Sequence, residues 1–112
     1  MSDATDATVV VAVRVRPSPV AAWFHHLLTH PVVEVDGRAY ASSWGGTREI
    51  PVAPGPHRIG AYFRYRGQRR ARLAESSREF TAERGVRRVD ITARLGALNR
   101  TPFRIGDPVA RV

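Results

Sequence analysis

Residues 58–72 hold Arg58, Arg64, Arg66, Arg69, Arg70 and Arg72 without one acidic residue among them, and Tyr62 and Tyr65 are interleaved with the first three. A guanidinium presents a planar fork of N–H donors that matches a carboxylate or a phosphate at two points. An aromatic ring beside it can stack on a nucleobase, which is how sequence-tolerant nucleic-acid surfaces combine charge with π-faces. In strict alternation, His57, Ile59, Ala61, Phe63 and Tyr65 fall on one face of an extended strand, and Arg58, Gly60, Tyr62, Arg64 and Arg66 on the other. A sheet that covers one side of a core carries charge on its outer side in any case. The second face is therefore read as solvated sheet first and anion-binding surface second. A further aromatic candidate pairs Tyr40 with Trp44, which sits beside Ser42, Ser43, Gly45 and Gly46. An exposed ring in such a loop could grip a protein or a sugar; the alternative is a Trp44 ring packed in the core with its N–H bonded.

Other constellations are thinner. His25, His26, His30 and His57 supply imidazoles, and His26 and His30 have i, i+4 spacing. A metal site also needs a third ligand and an orienting outer shell, and no carboxylate lies between His26 and His30. No metal or cofactor is expected. The chain has no cysteine, which removes disulfides, thiolate nucleophiles and Cys-ligated metals. Glu75, Glu79 and Glu83 lie among arginines and read as charge partners rather than as carboxylates with separated pKa values. Ser42, Ser43, Ser76 and Ser77 show no nucleophile elbow or paired base. Gly45-Gly46 lacks the lysine of a phosphate-binding loop. Asn99-Arg100-Thr101 is followed by Pro102 in a chain without a secretory signal, so glycosylation is not expected there. The balance points away from an enzyme.

The elements that must position these residues are mostly strands. Residues 1–7 read as a flexible leader. Residues 8–16, "TVVVAVRVR", end in strict alternation, with Val11, Val13 and Val15 opposite Arg14 and Arg16. Ser18 can cap a short amphipathic helix over 19–29, with Val20, Trp23, Phe24, Leu27 and Leu28 at helical spacing and Pro31 as its stop. Val33 and Val35 alternate with Glu34 and Asp36 before the Asp36-Gly37 pair, which suits the positive φ angles of a tight hairpin. Residues 47–52, "TREIPV", read as an edge strand because of the proline. Residues 53–56 form a turn, 57–66 the longest strand, and 67–77 a basic loop. Phe80 and Ala82 alternate with Glu79, Thr81 and Glu83, Gly85 turns the chain, and Val89 and Ile91 share a face of the next strand. Leu98, Phe103 and Ile105 anchor an irregular tail.

A chain of 112 residues is long enough for one core. Its apolar share of 43% and charged share of 25% are those of a folding domain. The net charge of +8 favours anionic partners. All eighteen basic residues are arginine, a bias that a GC-rich genome alone explains. The acidic, polar N-terminus and the absence of a long apolar run predict a cytoplasmic protein with no membrane span.

From residue 32 to 94 the order of signals resembles the PEGA-like small β-sandwich modules of bacteria, including related domains common in actinobacterial proteins. The residues that carry the likeness are "VEVDG" at 33–37, "WGG" at 44–46, "PVAPGPH" at 51–57, the strand through Tyr62 and Tyr65, and "REFTAERG" leading into "VRRVDITA". The resemblance implies an immunoglobulin- or transthyretin-like sandwich that serves as a non-catalytic appendage or interaction domain, with no catalytic residues to carry over. The Trp23 helix departs from that pattern. The competing order is an α+β ferredoxin-like βαββαβ domain of the RNA-recognition type, with a second helix over 69–83. Arg58, Ala61, Tyr62 and Tyr65 partly match its RNA-contacting strand, but Ile59 and Gly60 break the motif, and strand 8–16 offers no aromatic residue.

The sequence therefore predicts a mainly β protein: one small β-sandwich of six or seven strands over 8–112 with a short N-terminal helix. Its expected role is that of an adaptor or assembly module binding an acidic protein or anionic surface through Arg58, Tyr62, Arg64, Arg66, Arg69, Arg70 and Arg72. The alternative is nucleic-acid binding through the same arginines with Tyr62 and Tyr65. The edge strand at 47–52 could pair with a second copy to give a homo-oligomer.

Overall fold

The computed structural model describes residues 8–18, 26–96 and 102–112. Among them nine strands form two sheets. The first sheet has the order β4-β1-β7-β8, where β4 is Thr47–Val52, β1 is Val9–Arg16, β7 is Arg88–Arg94 and β8 is Arg104–Ile105; β9, Val109–Arg111, also pairs with β7. The second has the order β3-β2-β5-β6, where β3 is Arg38–Ala41, β2 is Thr29–Val35, β5 is Gly55–Tyr65 and β6 is Leu73–Ala82. One apolar cluster draws on both sheets, an arrangement compatible with a β-sandwich.

Sequence alternation explains which face each strand buries. In β1, Val9, Val11, Val13 and Val15 are buried in the core while Arg14 and Arg16 are exposed. Their partners continue the pattern: Val11 is opposite Ile50 in β4 and Val89 in β7, and Val13 is opposite Ile91. From the second sheet Val33, Val35, Ile59, Ala61 and Phe63 enter the same core. Full burial of a Val, Ile or Phe side chain contributes about 1.5–3 kcal/mol of transfer free energy. The β1–β7 pairing is parallel, so both strands are approached from the same end and all the intervening chain builds the crossover.

Two local features fix the second sheet. Asp36 and Gly37 have φ values of 52° and 84°, the double left-handed geometry of a hairpin turn whose twist matches its strands. Along β5 and β6 the register runs from Ala61↔Ser76 to Phe63↔Leu73, which leaves one extra residue on β6. That bulge contains Ala74 at φ 55°, and the Ala74 carbonyl accepts the Phe103 N–H at 2.9 Å, tying the approach to β8 onto β6.

Several expectations are corrected. The described strands number nine rather than six or seven. The basic loop is shorter than 67–77, because β6 begins at Leu73. The same strand occupies the span that the βαββαβ alternative assigned to a helix over 69–83. Pairing of Ala93 with Ile105 and of Asp90 with Val109 gives order to a tail read as irregular. Phe103 and Ile105 are buried there as expected. The leader at 1–7, most of the helix at 19–29 with Trp23 and His25, Leu98 and the Asn99 sequon lie outside the described residues. Residues 26–28 form a helical turn, and Thr29 already belongs to β2. No helix among the described residues is long and apolar enough to cross a membrane.

Candidate functional site

The arginine-rich segment occupies β5 and the turn that leads into β6, on the second sheet. Tyr62 points away from the core cluster and is nevertheless only 2% exposed. Its ring is roofed by two arginines of its own chain, with the Arg72 guanidinium 4.3 Å and the Arg64 guanidinium 5.2 Å from its centroid. Arg72 is held in turn by a two-point contact with Glu34, Nη1 donating to Oε2 and Nη2 to Oε1, each at 2.8 Å. Its Nε donates to Glu75 at 2.7 Å. The hydrogen bond from Arg72 holds the Glu34 carboxyl below its usual pKa, against the opposing push of burial, with the Arg72 and Arg64 charges adding to the effect. The same carboxylates raise the Arg72 pKa.

The neighbouring arginines are also engaged. Arg64 donates from Nη2 to the Tyr62 hydroxyl at 2.9 Å and from Nη1 to the Arg69 carbonyl. Arg66 donates to the Leu27 carbonyl at 2.8 Å and the His26 carbonyl at 3.2 Å. Arg58 donates from Nε and Nη2 to the Ser77 hydroxyl at 3.3 and 3.1 Å. Arg69 and Arg70 differ: both are exposed in the turn, and neither takes part in an ion pair among the described residues. The predicted basic face thus divides into a tied framework and a short free tip. Tyr62 presents no open ring face for a base, while Tyr65 is 40% exposed.

The Tyr40 and Trp44 pair is also placed differently from a gripping loop. Trp44 is buried, stacked on Phe103 at a centroid distance of 5.9 Å and tilted against Phe63 at 6.1 Å. Its indole N–H donates to the Thr29 hydroxyl at 3.1 Å, which satisfies the polar edge of a ring otherwise in the core. Tyr40 is half-buried, with the Arg38 and Arg48 guanidinium groups 5.7 and 5.4 Å from its ring.

The histidines do not converge. His30 pairs with Arg64 at one end of the β2–β5 ladder, whereas His57 is near the other. Burial, then the charges of Arg64 and Arg66, lower the His30 pKa. His57 bridges two acceptors, an Asp36 carboxylate oxygen and the Ala53 carbonyl, each at 2.5 Å. Both ring nitrogens must carry protons to donate to both. Burial, the largest single influence, pulls the His57 pKa down, but these bonds and the Asp36 charge raise it above its ordinary 6.5. The bonds from His57 and from the Arg58 amide lower the pKa of Asp36. This is a staple across a hairpin base, and no group of three or more possible metal ligands occurs among the described residues.

Sequence reasoning missed a second set of cations. Arg14, Arg16, Arg94 and Arg104 are exposed on the outer face of the first sheet, and none belongs to an ion pair among the described residues. Alternation in β1 already placed Arg14 and Arg16 outward; the register that aligns them with Arg94 and Arg104 was not visible in the sequence. Arg94 and Arg104 also line a cleft of about 640 Å³ with Ser76, Arg78, Leu95 and Phe103. No family model matches the chain, and no curated protein matches it either.

Proposed function

We propose that this protein is a non-catalytic interaction module, a small adaptor or assembly subunit that binds an acidic protein through guanidinium groups on its surface. The observation that carries the reading is the turn after β5. Arg64 donates to the Arg69 carbonyl and the Tyr62 hydroxyl, Arg66 donates to the Leu27 and His26 carbonyls, and Arg69 and Arg70 stand exposed in the turn so held. A turn held in this way loses little conformational freedom when a partner docks, which lowers the entropic cost of binding. The likeness of residues 32–94 to PEGA-like appendage modules supports the same role, and the mainly β chain with two sheets is compatible with it. Self-assembly is the second element of the proposal: β4 is a terminal strand of its sheet and could add a second copy along that edge.

The direct test is fluorescence anisotropy with a labelled peptide alternating Glu and Leu, titrated with wild type and with the Arg69→Gln/Arg70→Gln variant across a salt series. The expected result is binding that weakens with salt and falls about threefold to tenfold in the variant, the range of two exposed charge contacts. Tighter binding of an oligo-thymidine strand than of the peptide would overturn the reading in favour of nucleic acid. Sedimentation of wild type against Glu49→Pro, which puts a proline at an edge position whose N–H points away from β1, tests β4 pairing: a wild-type dimer that the variant loses is expected, and a monomeric wild type would overturn this element.

A further inference from the structure

The first sheet has an outer face on which charge is sorted. At one end Arg88 donates to Glu49 at 2.7 Å and to Asp90 at 2.8 Å, and Arg111 reaches the other oxygen of Asp90. Arg111 first and then Arg88 lower the Asp90 pKa by these hydrogen bonds. Cations and carboxylates cancel there. At the other end Arg16 is opposite Arg94 across the parallel pair, and Arg94 is opposite Arg104 across the antiparallel one. Arg14 lies two residues before Arg16 on the same face, opposite Thr92 and Thr47. Adjacent strands are about 4.8 Å apart, so three guanidinium-bearing positions fall within about 10 Å across the sheet.

Like charges directly opposite one another destabilise a sheet. The chain supplies carboxylates to the arginines at the far end of this face and, among the described residues, none to these four. We infer that the Arg14, Arg16, Arg94 and Arg104 row is a docking surface for a carboxylate-rich segment of a partner protein, which supplies the missing counter-charges. This inference rests on the proposed acidic-protein reading and moves the principal contact from the turn after β5 to the opposite sheet. One observation favours a polypeptide over a nucleic acid. The row holds arginines and threonines and no aromatic residue, so it lacks the stacking platform of single-strand binding surfaces.

The test compares two variants of the full chain, Arg16→Gln/Arg94→Gln/Arg104→Gln and Arg69→Gln/Arg70→Gln, against the labelled Glu-Leu peptide and an oligo-thymidine strand, with thermal unfolding alongside. The row variant is expected to lose about tenfold or more in peptide affinity and to flatten the salt dependence, with a melting temperature equal to or above wild type because a like-charge stack has been removed. A purely structural role for these arginines would lower the melting temperature instead, and that result overturns the inference. If only the turn variant loses affinity, the inference fails while the proposed function stands. If wild type does not bind the peptide, both fail. Preferential binding of the oligo-thymidine strand with the same dependence on the row replaces the acidic segment with a phosphate backbone.

Discussion

Arg72 belongs to the basic segment by sequence and to the framework by structure, and substitution separates the two roles. Arg72→Met keeps an unbranched stem over Tyr62 and removes the guanidinium. Three contributions disappear with it. The cation over the Tyr62 ring, at 4.3 Å from the centroid, is worth about 0.5–1 kcal/mol. The two-point contact with Glu34 involves side chains that are 39% and 19% exposed, so solvent screening limits it to about 1 kcal/mol. The Glu75 contact is more open, with that side chain 45% exposed, and adds a few tenths at most (~0.3 kcal/mol). Glu34 is also left as a largely covered carboxylate without its partner. The total is about 2 kcal/mol, which for a chain of this length is a fall in melting temperature of about 8 °C. Urea unfolding and thermal circular dichroism measure it. Glu34→Gln alone is expected to cost less, and the double variant to cost less than the sum, since both remove the same contact. A stability change under about 0.5 kcal/mol with a large loss of peptide affinity would refute this reasoning, because Arg72 would then be facing a partner rather than its own sheet.

Three other outcomes follow from the packing. Thr29→Val removes the hydroxyl that accepts the buried Trp44 N–H and is expected to cost about 1–3 kcal/mol; a cycle with Trp44→Phe that shows no coupling would sink this reading. The Asp36–His57 staple is expected to stabilise most between pH 3.8 and 6.5, the ordinary values of the two groups. Its contribution declines above that window as pH climbs through the raised His57 pKa, and below it as pH drops through the lowered Asp36 pKa. The difference between wild type and His57→Gln in urea unfolding isolates the upper limb from the opposite titration of His30, and identical profiles would exclude the staple. Ala74→Gly relieves a left-handed residue and is expected to stabilise by up to about 1 kcal/mol after the entropic cost of glycine; a lower urea midpoint would contradict the bulge geometry.

Much of the architecture was legible because period-two alternation reports burial directly. Val11, Val13 and Val15, then Ile59, Ala61 and Phe63, and then Val89 and Ile91 were each assigned to one face by sequence, and each set is in the core. The Asp36-Gly37 hairpin was legible because few residue pairs tolerate two positive φ angles. The start of β6 was not. Its bulge at Ala74 breaks the alternation just where "RRARLA" looks like a polar loop, so the strand signal appears only from Phe80 onward. Trp44 stays open between core and surface in the sequence for a related reason: a ring flanked by serines and glycines carries no local sign of burial, and the Thr29 hydroxyl and the Phe103 face arrive from distant segments.

The arginines show where such reading stops. Alternation assigns a side chain to a face, but whether a cation on that face is free depends on the residues brought beside it by cross-strand register. Arg72 is neutralised by Glu34, which belongs to β2, and Arg88 by Glu49 from β4. Each also has a partner close in sequence, Glu75 and Asp90, but nothing local announces the cross-strand one. Conversely, the dense run at 58–72 attracts attention as a binding segment, yet four of its six arginines are spent on Ser77, on backbone carbonyls, on Tyr62 and on carboxylates. Arg16, Arg94 and Arg104 come from three separate segments that only the β1–β7–β8 pairing aligns. The density of charge along a chain therefore measures how many cations a strand must accommodate, and the register of the sheet decides which of them are left for a partner.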